Sequence, residues 1–298
     1  MSRTVNIFRK FSTVSLCFVP KHEPVNDRDV QILKKFIQSS DKIAILTGAG
    51  ISTESGIPDY RSEDVGLYAR SNRRPIQYQD FLKNSSTRRR YWARNYVGWP
   101  RFSSTQPNAV HVSIKNLETD RKVSRVITQN VDSLHYKAGS ENVTELHGTA
   151  FRVICLDCEA RFDRHFIQEK IHKENPLISD TSDMIRPDGD VEIPQESIDN
   201  FVTPTCDSCG GILKPDIVFF GDNVPRVRVE EVRQCVSQSD SLLVLGSSLS
   251  VFSGYRIVLQ AVEERKNVCI VNIGPTRADK LDILKISAKC GDIIPKIC

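Results

Sequence analysis

The chain has 298 residues, 39% hydrophobic and 26% charged, with 41 basic and 37 acidic residues giving a net charge of +4. That length and composition suit one large soluble core, or a core with a smaller satellite domain, and no apolar run nears the roughly 20 residues that cross a bilayer. Arg3, Arg9, Lys10 and Lys21 lie in an acid-free stretch, residues 1–22, and account for all of the net charge; the neutral body that remains argues against a general nucleic-acid binder.

The head, MSRTVNIFRKFSTVSLCFVP, is basic, rich in Ser and Thr and punctuated by apolar residues. It reads as a mitochondrial transit peptide over residues 1–24, with a disordered arm as the alternative, and implies the mitochondrial matrix. Asn26 or Asp27 can then cap a helix with Val30, Leu33, Phe36 and Ile37 on one face.

The next stretch organises the chain. Lys42-Ile43-Ala44-Ile45-Leu46-Thr47 is short, apolar and β-branched, as in a buried parallel strand, and ends in Gly48-Ala49-Gly50. Closely spaced glycines after a strand let backbone N–H groups approach a phosphate, and a helix beginning there would add its dipole. The spacing is not the usual GxGxxG. Gly56-Ile57-Pro58-Asp59-Tyr60-Arg61 cannot be a helix interior; it reads as a lid over a cofactor or as an ordinary surface loop.

Residues 67–100 are rich in aromatics and arginines, with helical spacing from Asp80 to Val97. Tyr91 and Arg94 would share a helix face, most simply as part of an amphipathic helix with a solvated basic side. A helix over Ala109–Leu117 leads to a strand, Val123–Thr128, which ends in Gln129-Asn130-Val131-Asp132. Polar groups at the carboxyl end of a strand in an open α/β sheet are binding candidates; capping of the next helix is the competing role. His147, before Gly148, is either a structural histidine or a general base.

Four of the nine cysteines form Cys155-x-x-Cys158 and Cys206-x-x-Cys209. Two such knuckles supply the four thiolates of a closed structural Zn²⁺ site; a redox pair is the lesser alternative. Between them, 179–205 is acidic and loop-like, a length that goes with function or disorder. Leu213–Gly221 reads as an apolar strand. Leu242–Leu245 and Val268–Val271 run into Gly246-Ser247-Ser248 and Asn272-Ile273-Gly274, which completes the pattern of an α/β, Rossmann-type doubly wound parallel sheet with a smaller helical and zinc-binding module.

Taken together, GAGIS (48–52), GIPDYR (56–61), TQNVD (128–132), the LHG around His147, both CxxC knuckles, KPDIVFFGD (214–222), GSSL (246–249) and NIGPT (272–276) resemble the sirtuin family. The likeness covers roughly residues 27–295. YARxxRRPIQ (68–77) and YWARNYVGWP (91–100) point to its mitochondrial class II branch. The resemblance implies a catalytic domain over 25–298, with Rossmann parts at about 25–56, 103–148 and 214–298 and a small domain at about 57–102 and 149–213.

It also implies NAD⁺ as co-substrate and structural Zn²⁺. Gly48, Ala49, Gly50 and Ser52 would line the phosphates and ribose, with Arg61 on the phosphate and Asp59 and Tyr60 closing the lid. Ile57 and Asp132 would hold the nicotinamide carboxamide, and Gln129 and Asn130 the nicotinamide ribose. Gly246, Ser247, Ser248, Asn272, Ile273, Gly274 and Cys290 would meet the rest of the dinucleotide. His147 and Asn130 would be catalytic: the acyl-lysine oxygen attacks the ribose as nicotinamide leaves, and His147 then takes a proton through the ribose hydroxyls. Val218, Phe219 and Gly221 would pair with the substrate backbone.

The implied activity is an NAD⁺-dependent protein-lysine deacylase acting on acylated lysines of mitochondrial proteins as a monomer, without nucleic acid. Tyr91 and Arg94 have the spacing of a pair used for acidic acyl groups in class III relatives, so acidic or bulky acyls are expected over acetyl. Mono-ADP-ribosyl transfer, removal of lipoyl-type groups, and a non-catalytic NAD⁺ sensor or scaffold are the alternatives. Ser253-Gly254 departs from the family pattern, which often has Pro after the GSSL strand, and Tyr60 stands where Phe is frequent.

Overall fold

The computed structural model describes residues 18–72, 74–182 and 185–297. Most of the expected transit segment, residues 1–17, therefore lies outside the described residues. Its remainder packs against the rest of the chain. Phe18 is buried beneath the Arg70 guanidinium, 4.9 Å from its carbon, and the His22 ring binds the Pro20 carbonyl and the Asp292 carboxylate.

Helix α1 (Asp27–Gln38) starts where Asn26 caps the Asp29 amide and buries the expected stripe of Val30, Leu33, Phe36 and Ile37. Strand β1 (Ile43–Thr47) follows, fully buried. No α-helix opens after it: Ala49–Ile51 and Thr53–Ser55 are single 3₁₀ turns, ending at Gly56 with φ of +89°. The short α2 (Leu67–Arg70) and α3 (Tyr78–Lys83) precede α4 (Ser85–Ser104). The single helix expected over Asp80–Val97 is thus broken at Asn84 and its second part is longer. Trp92, Trp99 and Phe102 recur at helical spacing on the buried side of α4.

Helix α5 (Ala109–Thr119), capped by Asn108, leads to β2 (Val123–Thr128), α6 (Leu134–Lys137) and β3 (Val143–Glu145). Then come β4 (Gly148–Cys155), β5 (Arg161–Asp163), α7 (Arg164–Glu174), α8 (Gln195–Asp199) and β6 (Leu213–Ile217). The chain closes with α9 (Arg226–Gln238), β7 (Ser241–Leu245), α10 (Phe252–Glu263), β8 (Asn267–Val271), β9 (Leu284–Ile286) and α11 (Cys290–Ile293).

Six strands form a parallel sheet in the order β3-β2-β1-β7-β8-β9. The order reverses beside β1, so the crevice between the carboxyl ends of β1 and β7 is the natural ligand position. A second, antiparallel sheet, β5-β4-β6, belongs to the smaller module. The strand expected over Leu213–Gly221 stops at Ile217 and lies in this small sheet, paired with β4. Its tail, 218–221, leaves the ladder and turns to the crevice. Among the described residues, no helix is long and apolar enough to cross a membrane.

Candidate functional site

The loops at the ends of β1, β2 and β7 converge closely. A Cβ on Gly48 would stand 2.7 Å from the Ser247 Cβ, and one on Gly50 2.8 Å from the Gly246 carbonyl oxygen. Gly246, at φ +59°, would meet the Ile51 amide at 2.6 Å. The glycines thus serve first to bring two strand ends together. The Gly48 and Gly50 amides donate to the Leu245 and Gly246 carbonyls. They are therefore occupied within the fold, a correction to the expectation that these N–H groups face a phosphate.

Polar side chains from β2 complete the floor. Ser52 donates to Asp132 at 2.7 Å, Asn130 donates to the Gly48 carbonyl and to Ser52 at 3.1 Å each, and Gln129 donates to Ser247 at 2.9 Å. Asn130 and Asp132 are buried. Asp132 also caps α6 by accepting from the Leu134 amide, so the binding and capping roles coexist there.

These groups open on a cavity of about 1090 Å³, just above the size usual for ligand pockets. It runs from Ala49, Ile57, Asp59 and Tyr60 past His147 to Tyr91, and its other wall carries Ser248, Asn272, Ile273, Gly274 and Cys290. Every residue assigned to NAD⁺ in sequence reasoning lines it. Asp59 accepts from the amides of Arg61 and Ser62 and from the Ser62 hydroxyl, which braces the lid. Tyr60 packs on Phe220 and Tyr68, and the Arg61 guanidinium lies over the Tyr68 ring. Burial holds the Cys290 thiol neutral, its pKa pushed up to about 12 with the Glu54 charge adding to the effect.

His147 has one defined orientation. Its Nδ1 lies 3.0 Å from the Gln129 carbonyl and its Nε2 2.7 Å from the Ser253 hydroxyl. A carbonyl only accepts, so Nδ1 carries the hydrogen and Nε2 a lone pair. Burial, with Arg228 adding to it, lowers the pKa to about 4 against the carbonyl's opposing effect, so the ring is neutral across the physiological range with the Nε2 lone pair as its acceptor.

The acyl-pocket expectation divides. Tyr91 lines the cavity above Phe219. Arg94 does not reach it as a free cation. Its Nε lies 2.9 Å from Asp190, its Nη2 3.1 Å from Glu192, and Nε also donates to the Val191 carbonyl. The carboxyls of Asp188 and Asp190 line the cavity there instead, with Pro187. Burial raises both, Asp190 to about 7 despite Arg94. The long inter-knuckle loop is thus a wall of the cavity.

Val218, Phe219 and Gly221 also line the cavity. The Val218 amide is held by the His147 carbonyl and the Phe220 carbonyl by the Tyr78 amide, so this extended segment is preformed.

Apart from the cavity, the four knuckle cysteines bring their sulfurs within 4.8 Å of one another, with Cys155–Cys209 at 3.5 Å and Cys158–Cys206 at 3.7 Å. Four thiolates around Zn²⁺ at about 2.3 Å place their sulfurs about 3.8 Å apart, so the set fits a tetrahedral ion. All four positions are protein ligands, which makes the site structural.

Sequence reasoning left five contributors out of the site: Asp188, Asp190, Pro20, Lys21 and Ser253. Asp188 and Asp190 sat in a segment, 179–205, whose length and acidity pointed to the acyl or NAD⁺ channel without singling out either residue. Pro20 and Lys21, from the segment assigned to the leader, line the same cavity. Ser253 had a signal, its departure from Pro, that was not connected to His147.

Residues 48–253 match the model of the Sir2 family. The chain is 59% identical over 286 residues to the NAD-dependent protein deacylase Sirt4 of Drosophila melanogaster, covering 96% of this chain and 92% of that one. It is 52% identical over 280 residues to the NAD-dependent protein lipoamidase sirtuin-4, mitochondrial, of Homo sapiens, covering 94% and 89%. Among solved structures, a Sir2 complex with a p53 peptide and NAD⁺ superposes with a TM-score of 0.71 at 29% identity, covering 90% of this chain and 96% of that one.

Proposed function

The chain belongs to the Sir2 family, and we propose from that premise that it is an NAD⁺-dependent protein-lysine deacylase of the mitochondrion, acting in the matrix as a monomer. The observation that carries the reading is the continuity of one cavity from the β1–β7 crevice, past the lone pair of His147, to the deep wall at Tyr91.

Bound NAD⁺ supplies a ribose carbon with nicotinamide as leaving group; everything else is done by the chain. Asp132, braced by Ser52, and Ile57 hold the carboxamide end, and Gln129 and Asn130 orient the ribose. The lid of Asp59, Tyr60 and Arg61 excludes water. His147 accepts a ribose hydroxyl proton at Nε2, a contribution of about 10²–10⁴ in rate. The segment Val218–Gly221 receives the substrate backbone as an added strand, which tolerates varied sequence around the lysine.

Acidic or bulky acyl groups, rather than acetyl, suit the deep wall. An acyl carboxylate would meet the Tyr91 hydroxyl and, in its protonated form, the Asp190 carboxyl, while Arg94 and Arg186 are engaged by Asp190 and Glu192. A long neutral acyl, of the kind removed by a lipoamidase, would use the same depth; the large cavity favours this second reading.

The test incubates the protein with NAD⁺ and acyl-lysine peptides and follows free nicotinamide, acyl-ADP-ribose and ADP-ribosylated protein by mass spectrometry. Acyl-ADP-ribose that disappears in His147→Tyr is expected. ADP-ribose on protein without acyl transfer would replace the deacylase with a transferase, and absence of NAD⁺ consumption would leave a sensor or scaffold.

A further inference from the structure

The strand-end motif after β7 contains Ser253-Gly254 at the first turn of α10. Gly254 is buried, and a Cβ on it would stand 2.5 Å from the Gln129 Oε1. The absence of a side chain leaves room for the Gln129 amide against the start of α10, and it is the Gln129 carbonyl that holds His147 Nδ1. The Ser253 hydroxyl lies at the other ring nitrogen, at 2.7 Å.

We propose that Ser253 is a positioning residue for the His147 base. It acts with the Gln129 carbonyl as the second of two anchors that fix the ring with Nε2 toward the cavity, and it exchanges places at Nε2 with a ribose hydroxyl of the bound co-substrate. This inference rests on the deacylase reading and deepens it.

The exchange turns on donors and acceptors. While His147 is neutral, Nε2 is an acceptor, and Ser253 donates its O–H to it. When the base works, the O–H bond of the ribose hydroxyl breaks, its proton forms a new N–H at Nε2, and the electron pair stays on the ribose oxygen. The imidazolium then needs an acceptor at Nε2. Both ring contacts described above are with neutral groups, a carbonyl and a hydroxyl, and the charged group that acts on the ring is the cationic Arg228 of α9. A hydroxyl can donate to the neutral ring and, after rotating, accept from the charged one. A proline at 253 can do neither.

A residue that acts through the base must affect the step in which the base takes a proton, and spare the earlier departure of nicotinamide. The experiment therefore compares, in the full-length protein, exchange of labelled nicotinamide into NAD⁺ with formation of acyl-ADP-ribose, for wild type, Ser253→Ala and Ser253→Thr. Ser253→Ala is expected to slow acyl-ADP-ribose formation about tenfold, a fraction of the base's own 10²–10⁴. Nicotinamide exchange should be unchanged or raised, and Ser253→Thr should restore the product rate.

Equal loss of both rates, or loss of neither, would overturn the proposal. Long-range ¹H–¹⁵N correlation of the His147 ring gives an answer that does not depend on turnover. Wild type should show the Nδ1–H tautomer with a hydrogen-bonded Nε2, and Ser253→Ala a shifted Nε2 resonance; an unmoved resonance also overturns it. Absence of exchange and of product in wild type would instead count against the deacylase reading, with the ring spectrum still deciding the role of Ser253.

Discussion

The Nε of Arg94 lies 2.9 Å from Oδ1 of Asp190, with both side chains nearly excluded from water. This pair joins α4 to the long loop between the zinc knuckles. It is reinforced where Gly98 lets the Gly189 carbonyl come so close that a Cβ there would clash at 2.1 Å. Arg186 adds a second cation beside Asp190 and Glu192. The arginine suggested by spacing to be an acyl receptor is thus a strut that holds a carboxyl in the cavity wall.

Arg94→Ala should accordingly act on stability before specificity. With Asp190 ionised, above about pH 7, removing one partner of a buried pair costs about 3 kcal/mol or more, the low end applying because Arg186 remains. Thermal unfolding should show a clear drop in Tm, and turnover should fall on neutral and acidic acyl peptides alike. Unchanged Tm with selective loss on acidic acyls would restore Arg94 as a direct receptor.

Asp190 makes the acyl preference pH-dependent. Its pKa is raised to about 7 because burial disfavours the charge, so the hydrogen-bond-donating form dominates below that pH and is lost above it. The ratio of kcat/KM for an acidic acyl peptide to that for a neutral one should fall between pH 6 and 8, and Asp190→Asn should flatten the change. A ratio that rises with pH would reverse the assignment.

His147 predicts the opposite of the usual histidine profile. With its pKa lowered to about 4 by burial, it protonates only well below neutrality. Turnover on a neutral acyl peptide should therefore hold its plateau from pH 8 down to 6; an acid limb near 6.5 that vanishes in Ser253→Ala would contradict the burial argument.

The knuckles should hold one zinc per chain, measurable by elemental analysis of the purified protein. Cys206→Ser should lose the metal and unfold the small module, because metal binding and folding of such a site are one equilibrium. Added zinc should not raise the activity of intact protein, since no coordination position is open.

The strap over the cavity mouth gives a last test. Phe18 is seated under Arg70, His22 is held by Asp292, and Pro20 and Lys21 between them face the cavity. Phe18→Ala should release the strap and raise KM for NAD⁺ severalfold while leaving KM for the acyl peptide nearly unchanged. An unaltered KM for NAD⁺ would confine Phe18 to packing.

Much of this protein was legible in its sequence because the relevant signals are local. The apolar run Ile43–Thr47 could only be a buried strand, the Asn26 cap and its four-residue stripe fixed α1, and the paired CxxC turns specify their own chemistry within four residues each. The glycine turn, Gln129–Asp132 and His147 were found because strand ends in an open sheet gather ligand-facing groups.

Tertiary structure decided what depends on residues distant in sequence. Whether Gly48 and Gly50 face a phosphate or the end of β7 depends on how near β7 comes. Whether Arg94 is free depends on a carboxylate 96 positions later. That Phe18 and His22 pack on the chain depends on Arg70 and Asp292, and that Ser253 touches the base depends on where α10 starts relative to His147. Charge pairing and lone-pair occupancy are properties of pairs in space, and sequence spacing reports them only when both partners sit on the same local element.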